Sequence, residues 1–122
     1  MKTFLLLGAI NGFLAVALGA FGAHGLEGKI SESALKTWEK AVNYQMFHTM
    51  ALFVTALLMT TIKGSQLTWV GWLFFIGIIL FSGSLYVYST TGITALAMIT
   101  PFGGITFLIG WIVLGYTVIS KL

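Results

Sequence analysis

The chain has 122 residues, 58% of them hydrophobic and 7% charged, with a net charge of +3 and a mean hydropathy of +1.01. A soluble domain carries roughly 25% charged residues, so this composition excludes a water-facing surface. Six scattered lysines without an arginine form no basic patch, which excludes a nucleic-acid partner, since phosphate binding needs clustered cations.

The absence of cysteine removes disulfides, thiolate chemistry and Cys-ligated metals. Several continuous apolar runs meet the length of ~18 residues that reads as a membrane helix. A barrel would instead show short segments of strict alternation. No Asp, Glu, Lys, Arg or His occurs from Gly64 to Ser120, whereas Gly19 to Thr49 holds both histidines, all three acidic residues and three of the six lysines. The expected fold is all-α: a single integral membrane four-helix bundle with an amphipathic interfacial lead-in before the second helix. Its spans fall near 3–23, 41–62, 67–88 and 101–119.

In the first span Gly8, Gly12, Ala15 and Gly19 recur at spacings of three and four, which puts small residues on one helix face. Such a face lets a neighbouring backbone approach closely. Met1-Lys2 before an apolar run also resembles a secretory signal, but the run is long for one. Asn11 within this span needs a hydrogen-bond partner and is expected to face the bundle. Gly22, Gly25 and Gly28 then break the helix, and Ser31 is placed to cap the next one, with Glu32 in its first turn.

Glu32 to about Lys40 reads as an amphipathic lead-in anchored at the interface by Trp38. A helix unbroken from 32 to 62 would be ~46 Å long, against a ~30 Å hydrocarbon core. A bend near Lys40, or a helix projecting past the membrane, is therefore expected. Lys63 to Gln66 form a polar turn. The third span has Trp69 and Trp72 at its start and Tyr86 and Tyr88 at its end, an aromatic belt at both interfaces. Thr90 to Ile99 reads as an apolar connection tucked against the bundle mouth. Thr100-Pro101 reads as an N-cap followed by proline at the first helical position. Gly83, Gly103, Gly104 and Gly110 extend the small-residue packing faces to the third and fourth spans. Four spans put both termini on one side. Lys2, Lys63 and Lys121 then oppose Lys29, Lys36 and Lys40, and the N-terminal amine tips the tie toward cytoplasmic termini in the cell membrane.

Four motifs together carry a resemblance: GAFGAHGL after the first span, Trp38 followed by Ala41 to His48, Gly83-Ser84-Leu85-Tyr86, and Ile99 to Gly104 with Gly110-Trp111. As an ordered set covering nearly the whole chain, they resemble the domain-of-unknown-function 423 family, small four-helix bacterial membrane proteins similar to animal transmembrane protein 256. The resemblance implies an integral inner-membrane protein and brings no activity with it.

His24 and His48 are the only side chains that titrate near neutrality, and both fall in the same leaflet. Tyr44, Gln45 and His48 share a helix face, and Asn11 lies at a similar depth. The expectation is one polar cluster of Asn11, Tyr44, Gln45 and His48 inside the bundle, with His24 at its mouth. Two histidines alone make a poor metal site, so no metal or cofactor is expected. No carboxylate lies within a span, which argues against proton-coupled export of cations. No nucleophile–base pair points to an enzyme. The functional expectation is a non-enzymatic scaffold or accessory subunit that packs through glycine-rich faces against membrane lipid, against itself or against a larger membrane complex. The alternative is a binder or carrier of a small amphiphile such as a lipid or quinone, held by Asn11, His24, Tyr44, Gln45 and His48.

Overall fold

The computed structural model describes all 122 residues. Five α-helices form four long rods: α1 (Lys2–Phe21), α2 (Glu32–Leu58), α3 (Gln66–Gly77), α4 (Ser84–Thr91) and α5 (Thr94–Lys121). A π-helical turn at Gly22–Leu26 extends α1, and another at Ile78–Gly83 joins α3 to α4 into one rod. The rods Lys2–Leu26, Glu32–Leu58, Gln66–Thr91 and Thr94–Lys121 are each long and apolar enough to cross a membrane.

The rods run antiparallel to their neighbours. Gly8, Gly12 and Gly19 of α1 face Phe53, Thr49 and Val42 of α2 in reverse order. Gly71 faces Phe4, and on the other side Gly77, Gly103 and Gly110 pair with Phe107, Phe81 and Phe74. α1 packs on α2, and α5 packs on the α3–α4 rod, leaving α2 and α3–α4 as the inner pair. The main apolar core joins Phe4, Leu52, Val70, Phe74 and Phe107 toward the end that holds the termini. A smaller one, Leu26, Trp38 and Val42, closes the opposite end.

Ser31 caps α2 as its sequence foretold: its hydroxyl accepts from the Ala34 N–H at 3.0 Å. The lead-in is continuous with the second span: α2 is unbroken α-helix through Lys40. At 27 residues it is ~40 Å long, so its charged first turns extend past a ~30 Å core. Trp38 is not an interfacial anchor. It is 5% exposed, its indole N–H donates to the Leu18 carbonyl at 2.8 Å, and its ring meets Tyr86 edge-on at 4.7 Å.

Two expected breaks are absent. Gly22 and Gly25 stay helical within the π turn; the chain leaves the helix at Glu27, whose ψ is 126°, and turns at Gly28, whose φ of +80° is left-handed. Gly22 serves packing instead: a Cβ there would lie 2.5 Å from the Trp38 ring. Likewise Thr94 to Ile99 are helical rather than a connection, so Pro101 sits inside α5 and not at its first position. Gly92, at φ +72°, ends α4 with a left-handed cap, and Ala95 to Met98 are strong helix formers that restart the helix at once. The proline deprives the Ala97 carbonyl of its usual donor.

Candidate functional site

The candidate site lies on α2, whose buried polar residues Gln45 and His48 are 4% and 3% exposed. Three residues apart, they face different neighbours. Gln45 turns toward α1 and α4. Its Nε2 donates to Asn11 Oδ1 at 3.0 Å, and its Oε1 accepts from the Tyr86 hydroxyl at 2.7 Å. Asn11 Nδ2 in turn donates to the Leu7 carbonyl at 2.8 Å. One amide therefore ties three rods together, and each of its partners belongs to a different rod from its own.

His48 turns toward α5. Its Nδ1–H donates to the Tyr44 carbonyl at 2.9 Å, while Nε2 accepts from the Trp111 indole N–H at 3.0 Å. Because indole nitrogen only donates, this partner fixes the tautomer with the proton on Nδ1. The imidazole stacks on Phe107 with centroids 3.5 Å apart and 7° between planes. Both ring nitrogens are engaged, so neither has a lone pair free for a metal. No three His, Asp or Glu residues come together to hold one.

The expected single cluster is thus divided. Asn11 bonds to Gln45 and not to His48, the contact that their similar depth had led us to expect, because His48 is engaged by Tyr44 and Trp111. Tyr44 hydrogen-bonds His48 only through its carbonyl; its 44%-exposed ring lies parallel to the imidazole at 6.3 Å and meets Phe81 at 4.6 Å. His24 is exposed within the first π turn and stands apart from both networks. Partners that the sequence reading missed are Tyr86 and Trp111. The available signal was depth: Trp111 lies mid-way along α5, far from any interface, where an indole N–H needs an acceptor.

The second π turn is a further junction. Ser82 donates to the Ala41 carbonyl at 2.8 Å, and the Ser84 hydroxyl lies 2.6 Å from that of Thr100. Gly103 packs directly against the Phe81 backbone with no room for a side chain. Of the glycines expected at packing faces, Gly8, Gly103 and Gly110 make close approaches and Gly19 a snug one, while Gly12 has ordinary spacing. Gly83 meets only its own turn, at 4.0 Å, and Gly104 lies 3.9 Å from Phe81, so neither forms a tight seam. Gly22, Gly71 and Gly77 are tight positions that small-residue spacing alone did not single out.

Between α2 and α5 a groove of about 450 Å³ runs over the His48–Phe107 stack. Its walls include Tyr44, Phe47, Ile105, Leu108 and Trp111.

The family model described as "Protein of unknown function (DUF423)" matches residues 18–104, which includes α2, both π turns and the start of α5. The chain belongs to this family. It is 55% identical over 115 residues to the UPF0382 membrane protein YwdK of Bacillus subtilis (strain 168), covering 93% of this chain and 94% of the relative. It is 54% identical over 114 residues to the UPF0382 membrane protein SAB0533 of Staphylococcus aureus (strain bovine RF122 / ET3-1), covering 93% of each. The UPF0382 membrane protein SERP0230 of Staphylococcus epidermidis is 52% identical over 114 residues, again with 93% of each chain covered. No solved structure matches the chain. This chain is thus a membrane protein of a family of unknown function, and Gln45 and His48 lie within the matched residues, whereas Asn11 precedes them.

Proposed function

We propose that this DUF423 protein is a non-enzymatic membrane scaffold or accessory subunit, resident in the bacterial cell membrane with both termini in the cytoplasm. The observation that carries the reading is the use made of its buried polar groups. Asn11, Gln45, Tyr86, His48 and Trp111 bond to one another or to backbone, so they hold helices together and leave no poised nucleophile or base. Small residues at helix seams serve the same end, because close backbone approach is a main source of helix association in lipid.

The outer rods α1 and α5 each keep a broad apolar face, with Phe13 and Val16 on one and Leu108, Ile112 and Ile119 on the other. These faces suit lipid or a neighbouring subunit equally. Native mass spectrometry of protein extracted in mild detergent tests the proposal. A reproducible homo-oligomer or a co-purified membrane subunit is the expected result; a monomer under every mild condition, with turnover of an added substrate, would sink it.

A further inference from the structure

We propose that one exposed stripe of α2 joins two parallel copies of this chain into a dimer, with Asn43 paired to Asn43 of the second copy across a two-fold axis. This deepens the scaffold reading and rests on it for self-association.

The stripe is a seam by its spacing. Asn43, Phe47, Met50, Val54 and Leu57 follow one another at intervals of four, three, four and three, the repeat along which two helices stay in contact. All five are exposed, although α2 is otherwise an inner helix. Val42, Thr49 and Phe53 turn toward α1, and His48 turns toward Trp111 of α5. The stripe lies between those two faces, opposite the buried Gln45 and Leu52. The rods α1 and α5 therefore flank the place of a partner helix and leave it open.

Asn43 argues against acyl chains as the cover. From Ala41 to Leu58 the helix is ~27 Å long, close to the ~30 Å hydrocarbon thickness. Lys40 is the last lysine or carboxylate of α2, so the Asn43 amide lies inside the apolar layer, where lipid offers it no hydrogen bond. Other polar side chains in the spans are met by their own helix. Asn11 donates to the Leu7 carbonyl, and the Thr106 hydroxyl donates to that of Phe102. The Asn43 amide bonds to nothing in the chain. Because an amide both donates and accepts, two copies about a two-fold axis satisfy each other with two equivalent bonds.

Shape and charge favour a second copy over a different partner. Asn43, Tyr44 and Phe47 line a surface hollow of about 340 Å³. In a parallel pair each seam side chain enters a hole of four residues on the facing helix, and for Asn43 these include Asn43, Tyr44 and Phe47. The hollow is thus already formed where the second Asn43 arrives. At the head of the seam Lys40 follows Glu39, and both are exposed. The same packing sets Lys40 of each copy beside Glu39 of the other, so the two chains meet as ion pairs and not as two bare cations.

The chain has no cysteine, so single cysteines in the full-length protein report the interface in native membranes. Oxidation should link Met50→Cys and Leu57→Cys copies about tenfold faster than Phe13→Cys on α1 or Ile112→Cys on α5, since only facing seam positions come within disulfide range. In mild detergent Asn43→Leu should weaken the dimer about tenfold, the worth of two interhelical hydrogen bonds, whereas Asn43→Gln should keep most of it. Faster linking at Phe13 or Ile112 than along α2 would overturn the seam and leave self-association standing. A monomer by native mass spectrometry, with no cross-link at any position, would sink both. Disulfides between Asn43→Cys and Leu57→Cys copies in preference to like positions would make the pair antiparallel and overturn the proposal. So would a Met50→Cys disulfide to a different protein, or an Asn43→Leu dimer as tight as the original.

Discussion

The Trp111 indole N–H donates to His48 Nε2 at 3.0 Å, a bond that ties the fourth rod to the second. It meets an imidazole whose other nitrogen already donates to the Tyr44 carbonyl. With Phe107 stacked on its face, His48 has one donor and one acceptor and uses both. An intramembrane ionisable side chain is by default a functional-site hypothesis. Here its local partners make it a helix tie.

Removing that tie should show coupling. Trp111→Phe keeps an aromatic ring but leaves Nε2 without its donor, and should destabilise the protein by about 1–2 kcal/mol. His48→Ala also empties space against Phe107 and should cost about 2–4 kcal/mol. In a double-mutant cycle read by thermal unfolding in detergent, the pair should couple by about 0.5–2 kcal/mol. Additive losses would mean that the two residues act independently, whatever their separation.

The Gln45 bridge makes a graded prediction. Tyr86→Phe removes one hydrogen bond, for which interhelical bonds in membranes average about 0.6 kcal/mol. Gln45→Leu orphans both Asn11 Oδ1 and the Tyr86 hydroxyl, and should cost about 1–3 kcal/mol. The ranking is the test: Gln45→Leu must lower the unfolding temperature more than Tyr86→Phe. A reversed order would place the stabilisation in Tyr86 packing against Trp38 rather than in the amide.

How much of this was legible depended on the range of the cause. Spans follow from composition, and the Ser31 cap from chemistry within three residues, so both could be read directly. Pro101 misled because a local helix-start signal competed with the helix-forming run before it and with Gly92 after α4. Trp38 looked interfacial because aromatic residues beside charges usually are; its burial depends on Gly22, sixteen positions earlier, leaving room for its ring. Depth alone placed Asn11 opposite His48, about one turn away from its actual partner, Gln45. That Gln45 and His48, three residues apart, would serve different neighbours depends on how α2 sits between α1 and α5, which no local pattern encodes.

Orientation has a direct measurement. The antiparallel rods put the N-terminus, the Lys63 turn and the C-terminus at one end. Reporter fusions at Lys63 and after Leu122 should both read cytoplasmic, following the positive-inside rule with the N-terminal amine breaking the lysine tie. A clear external majority at either site would reverse the orientation. An even split at both would establish dual insertion.

Glycine substitutions should separate seam from surface. At Gly103 a Cβ would collide with the backbone of Leu80 and Phe81, which cannot rotate aside as a side chain can. Gly103→Ala should therefore force α5 away from the second π turn and cost about 1–3 kcal/mol by overpacking, with loss of the neighbouring Ser84–Thr100 contact. Gly110→Ala, 2.9 Å from the Phe74 ring, should cost less because an aromatic ring has some freedom to shift. Gly115 is exposed with nothing within 4 Å, so Gly115→Ala should be neutral or slightly stabilising through helix propensity. Gly64 is a poor reference position despite its open surroundings, because its φ of +108° strains any residue with a Cβ. Unfolding temperatures of the three alanine variants in one detergent decide the matter. Equal tolerance at Gly103 and Gly115 would mean that α5 does not approach the Phe81 backbone in the native protein.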